Sequence, residues 1–163
     1  MKTIRLALAA AFAIAAQIPL AHAGDEPQLQ GLALCQDSWF DWKDDEARMA
    51  RFGGFFNSLF ERSKQGDAFA PKSPLRVLGR AVTQVYPQSV GMAVGFSVAL
   101  DADLAQARSS VEKQLGKPMV CSTSESGTAC ELKLGPKKTV VQMTAQNGLA
   151  KTGLLGCYYF YQQ

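Results

Sequence analysis

Two serine motifs, four cysteines and a cluster of acids set among aromatics are the parts of this 163-residue chain that could do chemistry. Ser110-Val111-Glu112-Lys113 has the S-x-x-K spacing by which a lysine activates a serine, and Lys151-Thr152-Gly153 follows as a K-T-G string. The chain is too short for the fold in which those two strings cooperate, and no S-x-N element serves between them. Ser110 also falls late in its expected helix, where the dipole cannot help a nucleophile. Gly95-Phe96-Ser97-Val98-Ala99 comes near a G-x-S-x-G elbow. That device needs a sharp strand-to-helix turn and a histidine partner, whereas Ser97 lies inside an alternating run. The one histidine, His22, falls in a segment expected to be removed. Serine and cysteine triads that use histidine, and histidine metal sites, are therefore not expected in the mature chain.

Asp37, Asp41, Asp44, Asp45 and Glu46 surround Trp39, Phe40 and Trp42. Such a density of carboxylates could hold calcium, but the alternating spacing and turn glycine of an EF-hand are missing. Acids at a helix start are the simpler reading, and whether they bind a cation stays open. Trp39, Phe40 and Trp42 cannot all point one way, so at least one is expected to be exposed to a partner. Tyr158, Tyr159 and Tyr161 put tyrosines on both faces of the last expected strand. They read either as a central strand covered on both sides or as a tyrosine-rich contact surface. These six aromatics are the candidate binding residues. No catalytic residue, metal ligand or cofactor is expected.

The compartment follows from the amino end. Lys2 and Arg5 precede an apolar run from Leu6 to Ala16, and Ala21-His22-Ala23 is a small-x-small cleavage site. Residues 1–23 are expected to form a secretory signal cleaved after Ala23, leaving residues 24–163 as a single periplasmic domain. The apolar run is shorter than the roughly 20 residues of a membrane span, so no transmembrane segment is expected. Leu32-Ala33-Leu34-Cys35 is not a working lipobox, because Leu34 is too large before the cysteine. Without the leader, 15 basic residues face 14 acidic ones, which makes no electrostatic case for nucleic acid or for an anionic membrane surface.

An even number of cysteines in an exported chain reads as a disulfide framework, with three connectivities open. There is no C-x-x-C pair for thioredoxin-like redox chemistry or for zinc. Cys121 and Cys130 flank a polar segment with Ser126-Gly127 near its middle, where a hairpin would place them opposite each other. That pairing leaves Cys35 for Cys157.

The elements that must carry these residues are read from periodicity. Residues 28–35 alternate as a short strand. Ser38 caps a helix that carries Trp42, Met49, Phe52, Phe56 and Leu59, ending at Lys64 and Gly66. Gly53-Gly54 inside it suggest a kink or close packing. Residues 67–74 read as a loop. Residues 75–86 fit either a helix or a strand, with a hairpin preferred, and Tyr86-Pro87-Gln88-Ser89 reads as the turn before a strand. Over 90–100, Val90, Met92, Val94, Phe96, Val98 and Leu100 share one face. Gly91, Ala93, Gly95, Ser97 and Ala99 share the other, where a close-packed element or a ligand pocket would fit. Asp103 with Gln106 opens a second helix, which Gly116 and Pro118 stop. Four strands follow, near 119–123, 128–134, 138–144 and 153–161. The expected fold is α+β, with two helices packed on one face of a mostly antiparallel, disulfide-braced sheet.

The helix end Val111-Glu112-Lys113-Gln114-Leu115-Gly116-Lys117-Pro118, followed by antiparallel strands, resembles the α/β module of β-lactamase-inhibitor proteins and of small outer-membrane-assembly lipoproteins. The likeness spans about residues 101–161 and implies a non-catalytic module that binds protein. The function expected is thus that of an exported periplasmic binding protein without enzymatic activity, such as an inhibitor or immunity-type protein acting on a periplasmic or envelope protein. A structural or maintenance factor of the cell envelope is the alternative, and a small-ligand carrier comes third.

Overall fold

A computed structural model describes residues 24–40, 46–64, 67–90, 93–125, 127–134, 139–146 and 152–160. The expected leader, Asp41, Trp42, Asp44, Asp45, Gly66 and Tyr161 lie outside them. The described elements are α1 (Asp25–Ala33), α2 (Glu46–Leu59), β1 (Phe60–Arg62), β2 (Phe69–Pro71), β3 (Arg76–Val77), β4 (Arg80–Val90), β5 (Ala93–Asp101), α3 (Leu104–Leu115), β6 (Val120–Ser124), β7 (Gly127–Leu134), β8 (Thr139–Gln146) and β9 (Thr152–Phe160). The strands form one antiparallel sheet in the order β1-β2-β4-β5-β9-β8-β7-β6, with β3 paired to β4. The expected α+β class with its disulfide brace is what the chain forms.

The first expected strand is a helix. Leu29, Leu32 and Ala33 have the i, i+3, i+4 spacing that buries one helix face, and all three are buried. Asp25 and Glu26 occupy the first turn, where the helix dipole favours acids, and Pro27 is tolerated there. The alternation of Leu32 and Leu34 was compatible with either element, and the core also takes Leu29. At the carboxyl end, the Gln36 N–H donates to the Gly31 carbonyl at 2.8 Å and Cys35 takes a left-handed φ of 55°. This is the usual way to close a helix, here with cysteine where glycine is common.

Helix α2 stops at Leu59, short of the expected Lys64, because Phe60 leads a strand that pairs with Phe69–Pro71. The expected loop 67–74 therefore supplies a strand. The strand preferred over a helix for residues 75–86 is present, and as β4 it pairs antiparallel with β5 as a hairpin partner should. A second, short hairpin, β3–β4, falls inside the segment. Leu78 and Gly79 both have positive φ, 54° and 72°, as a two-residue turn requires. The Leu78 N–H donates to the Gln30 side chain at 2.8 Å, tying this turn to α1. Tyr86-Pro87-Gln88-Ser89 is not a turn, since β4 runs on to Val90. Beyond Val85 the neighbouring strand β2 gives out, leaving an open edge on which a proline costs no ladder bond. From Asp103 onward the expected elements lie within a few residues of the observed ones. The Asp103 carboxylate accepts from the Gln106 N–H, and Gly116 takes the left-handed capping position.

All three helices bury residues in one cluster with one face of the sheet. Leu29 and Leu32 of α1, Phe56 and Leu59 of α2, and Ala107 and Val111 of α3 meet Phe96, Val98, Leu100, Leu155, Cys157 and Tyr159. Cys35–Cys157 links the end of α1 to β9, and Cys121–Cys130 bridges directly paired residues of β6 and β7.

Candidate functional site

Disulfide-held Cys35 delivers the following segment, Gln36 to Phe40, over the core face of the sheet. Trp39 is only 7% exposed. Its ring stacks on Phe52 with centroids 4.3 Å apart and meets Tyr159 edge-on at 5.5 Å. Phe96 lies 6.0 Å away and Phe40 5.6 Å. Phe52 continues the cluster to Phe56 and Phe96 at 5.9 and 5.7 Å. Offset and tilted rings at such distances add to the burial energy of each pair.

Two hollows open against this cluster. One, of about 430 Å³, lies between α2 and the end of the β4–β5 hairpin. Its walls are Trp39, Phe40, Met49, Phe52, Phe56 and Phe96, with Pro87, Gln88, Val94 and Gly95 closing the strand side. The other, of about 560 Å³, is lined by Arg48, Arg51, Phe52 and Phe55 of α2 with Gln28, Asp37, Ser38 and Trp39. Helical periodicity explains the division. Met49, Phe52 and Phe56 form one row on α2, while Arg48, Arg51, Phe52 and Phe55 form the next. The stacked Trp39–Phe52 pair belongs to both walls. Trp39 Nε1 is the one buried side-chain polar atom without a hydrogen-bond partner among the described residues.

The six expected binding residues part company. Trp39, Phe40 and Tyr159 come together. Trp39 is buried rather than offered to solvent, and Phe40 is half-buried. Tyr158 points to the opposite face of the sheet, as the pleat demands of the residue next to Tyr159. Its ring lies over Gly95 and Gly156 and fills the small-residue face of β5, so the ligand pocket expected there is taken up by the protein's own side chain. The Tyr158 hydroxyl donates to Gln88 Oε1 at 2.6 Å, which leaves the buried Ser97 hydroxyl as donor to Tyr158 at 2.5 Å. Burial pushes the phenols of Tyr158 and Tyr159 up from their ordinary value. Trp42 and Tyr161 lie outside the described residues.

The groove residues that sequence reasoning did not assign as a site are Met49, Phe52, Phe56, Val94 and Phe96. Their helical and alternating spacings were visible, but such spacings also describe ordinary core. The serine motifs have other duties. Ser97 is held by Tyr158, and the Ser110 hydroxyl donates to the Gln106 carbonyl one turn back at 3.1 Å. Among the described residues no group of three acids, histidines or cysteines is placed to hold a metal. Glu112, from the same S-x-x-K string, accepts from the Met119 N–H at 2.8 Å and from Arg108 at 2.8 Å, which together hold its carboxyl below the usual range.

No protein-family model, characterised protein or solved structure matches the chain.

Proposed function

We propose that this protein is an exported, periplasmic binding protein without catalytic activity, whose ligand site is the aromatic groove between α2 and the β4–β5 hairpin. The observation that carries the reading is the groove itself. Its 430 Å³ volume falls within the roughly 300–1,000 Å³ of ligand clefts, and its lining is aromatic and aliphatic apart from Gln88. Met49, 41% exposed, stands at its rim. The signal-like amino end supports export, and both disulfides are formed with no free cysteine among the described residues. Among the described residues no helix is long and apolar enough to cross a membrane.

A small apolar molecule suits this groove better than a partner's protein surface, because the aromatic walls are recessed rather than presented. Native mass spectrometry of protein taken from the periplasm tests the reading. A bound small molecule lost on Met49→Glu substitution is the expected result. A stoichiometric protein partner that survives the substitution would move the function back to an inhibitor-type role on another surface.

A further inference from the structure

We infer that the ligand is a single-chain amphiphile, with its apolar tail in the aromatic groove and an anionic head beside Arg48 and Arg51. The inference rests on the groove being the ligand site, and adds what the neighbouring hollow says about the other end of the molecule. The two hollows share the Trp39–Phe52 stack as a common wall, so a ligand reaching across that wall meets an apolar surface first and a charged one next. The described residues lining the second hollow carry two positive charges, Arg48 and Arg51, against one negative charge, Asp37. The two arginines lie three residues apart on α2 and so face the same way. Arg48 donates to Ser38 Oγ at 3.3 Å, which fixes it at the lip of the hollow. Arg51 is exposed and pairs with no acid among the described residues. A guanidinium presents a fork of donors suited to a carboxylate or phosphate.

Isothermal titration calorimetry on the oxidised, periplasmically expressed protein tests this with four ten-carbon probes: decanoate, decyl phosphate, decan-1-ol and decyltrimethylammonium. One or both anions should bind at least about tenfold tighter than the alcohol, the scale of a charge-assisted hydrogen bond. The tighter anion identifies the head as carboxylate or phosphate. Arg51→Gln should remove that advantage while leaving the melting temperature and decanol binding as they were. Met49→Glu should weaken decanol and decanoate alike. Equal binding of decanol and the anions would overturn the anionic head but leave the groove reading standing. Tighter binding of decyltrimethylammonium would overturn it too, with Asp37 setting the sign. No binding by any probe would sink the groove reading, and this inference with it.

Discussion

Tyr158 and Tyr159 are adjacent in the chain and serve opposite faces of the sheet. Tyr159 completes the aromatic cluster that walls the groove. Tyr158 lies flat over two glycines, and both glycines are required. A β-carbon on Gly156 would stand 2.5 Å from the Phe96 carbonyl oxygen and 2.7 Å from Ser97 Oγ, far inside contact distance. Gly156→Ala should therefore lower stability by about 1–3 kcal/mol, as overpacking does, measured by urea denaturation. The raised phenols make a second prediction at this scale. Where burial holds a tyrosine's pKa above its unfolded value, the folded state keeps a proton that the unfolded state has lost. Stability from that source is intact below the unfolded value near 10 and falls as pH rises through the folded one. The melting temperature should thus drop above pH 10, and drop less steeply in Tyr158→Phe than in the unaltered protein. Parallel curves for the two proteins would show that Tyr158 ionises no later when folded.

At the scale of elements, α2 controls the site, since adjoining rows of its side chains line the two hollows. Its paired glycines, Gly53 and Gly54, read in the sequence as a kink or a close approach. The helix instead runs unbroken from Glu46 to Leu59, and a β-carbon at either glycine would meet nothing within 4 Å. Gly54 is exposed and helical, so Gly54→Ala should raise stability by about 0.5–1 kcal/mol, chiefly by restricting the unfolded chain. A higher urea midpoint with ligand affinity unchanged is the expected result. A lower midpoint would mean that another surface packs against that face. Helix α3 answers to its ends in a similar way. Asp103→Ala removes the acceptor for the Gln106 N–H and should cost about 1 kcal/mol.

For the whole molecule the two disulfides are unequal. Cys35–Cys157 spans 122 residues and fastens α1 to a central strand, whereas Cys121–Cys130 spans 9 within a hairpin already held by its ladder. On chain-entropy grounds the long bridge stabilises by roughly 4–5 kcal/mol and the short one by less than about 3. Cys35→Ser should accordingly lower the melting temperature much more than Cys121→Ser. It should also loosen the groove, because Cys35 delivers Trp39 to its place. Similar losses from the two variants would indicate that the unfolded chain is constrained by something other than these loops.

Patterns that are local and redundant could be read before any coordinates. The carboxyl half, from Asp103 to the last strand, carries a cap, a terminating glycine, regular alternation and turn residues that all agree. The cysteine pairing was legible for the same reason, even though Cys35 closes a helix and not a strand. It depended on which pair a hairpin could bridge, and the remaining pair followed. The amino half was less legible because its signals were short and shared by two structures. Leu32 and Leu34 suit a strand as well as a helix, and Pro87 marks a turn as readily as an edge strand. There the decision belonged to tertiary structure, which needed Leu29 in the core and left β4 an open edge. The site was harder still. Spacing showed that Met49, Phe52 and Phe56 share a helix face, and that Val94 and Phe96 share a strand face. Whether two apolar faces meet closely or stand apart around a groove depends on how the whole sheet curves and how α2 lies against it, and no local pattern records that separation.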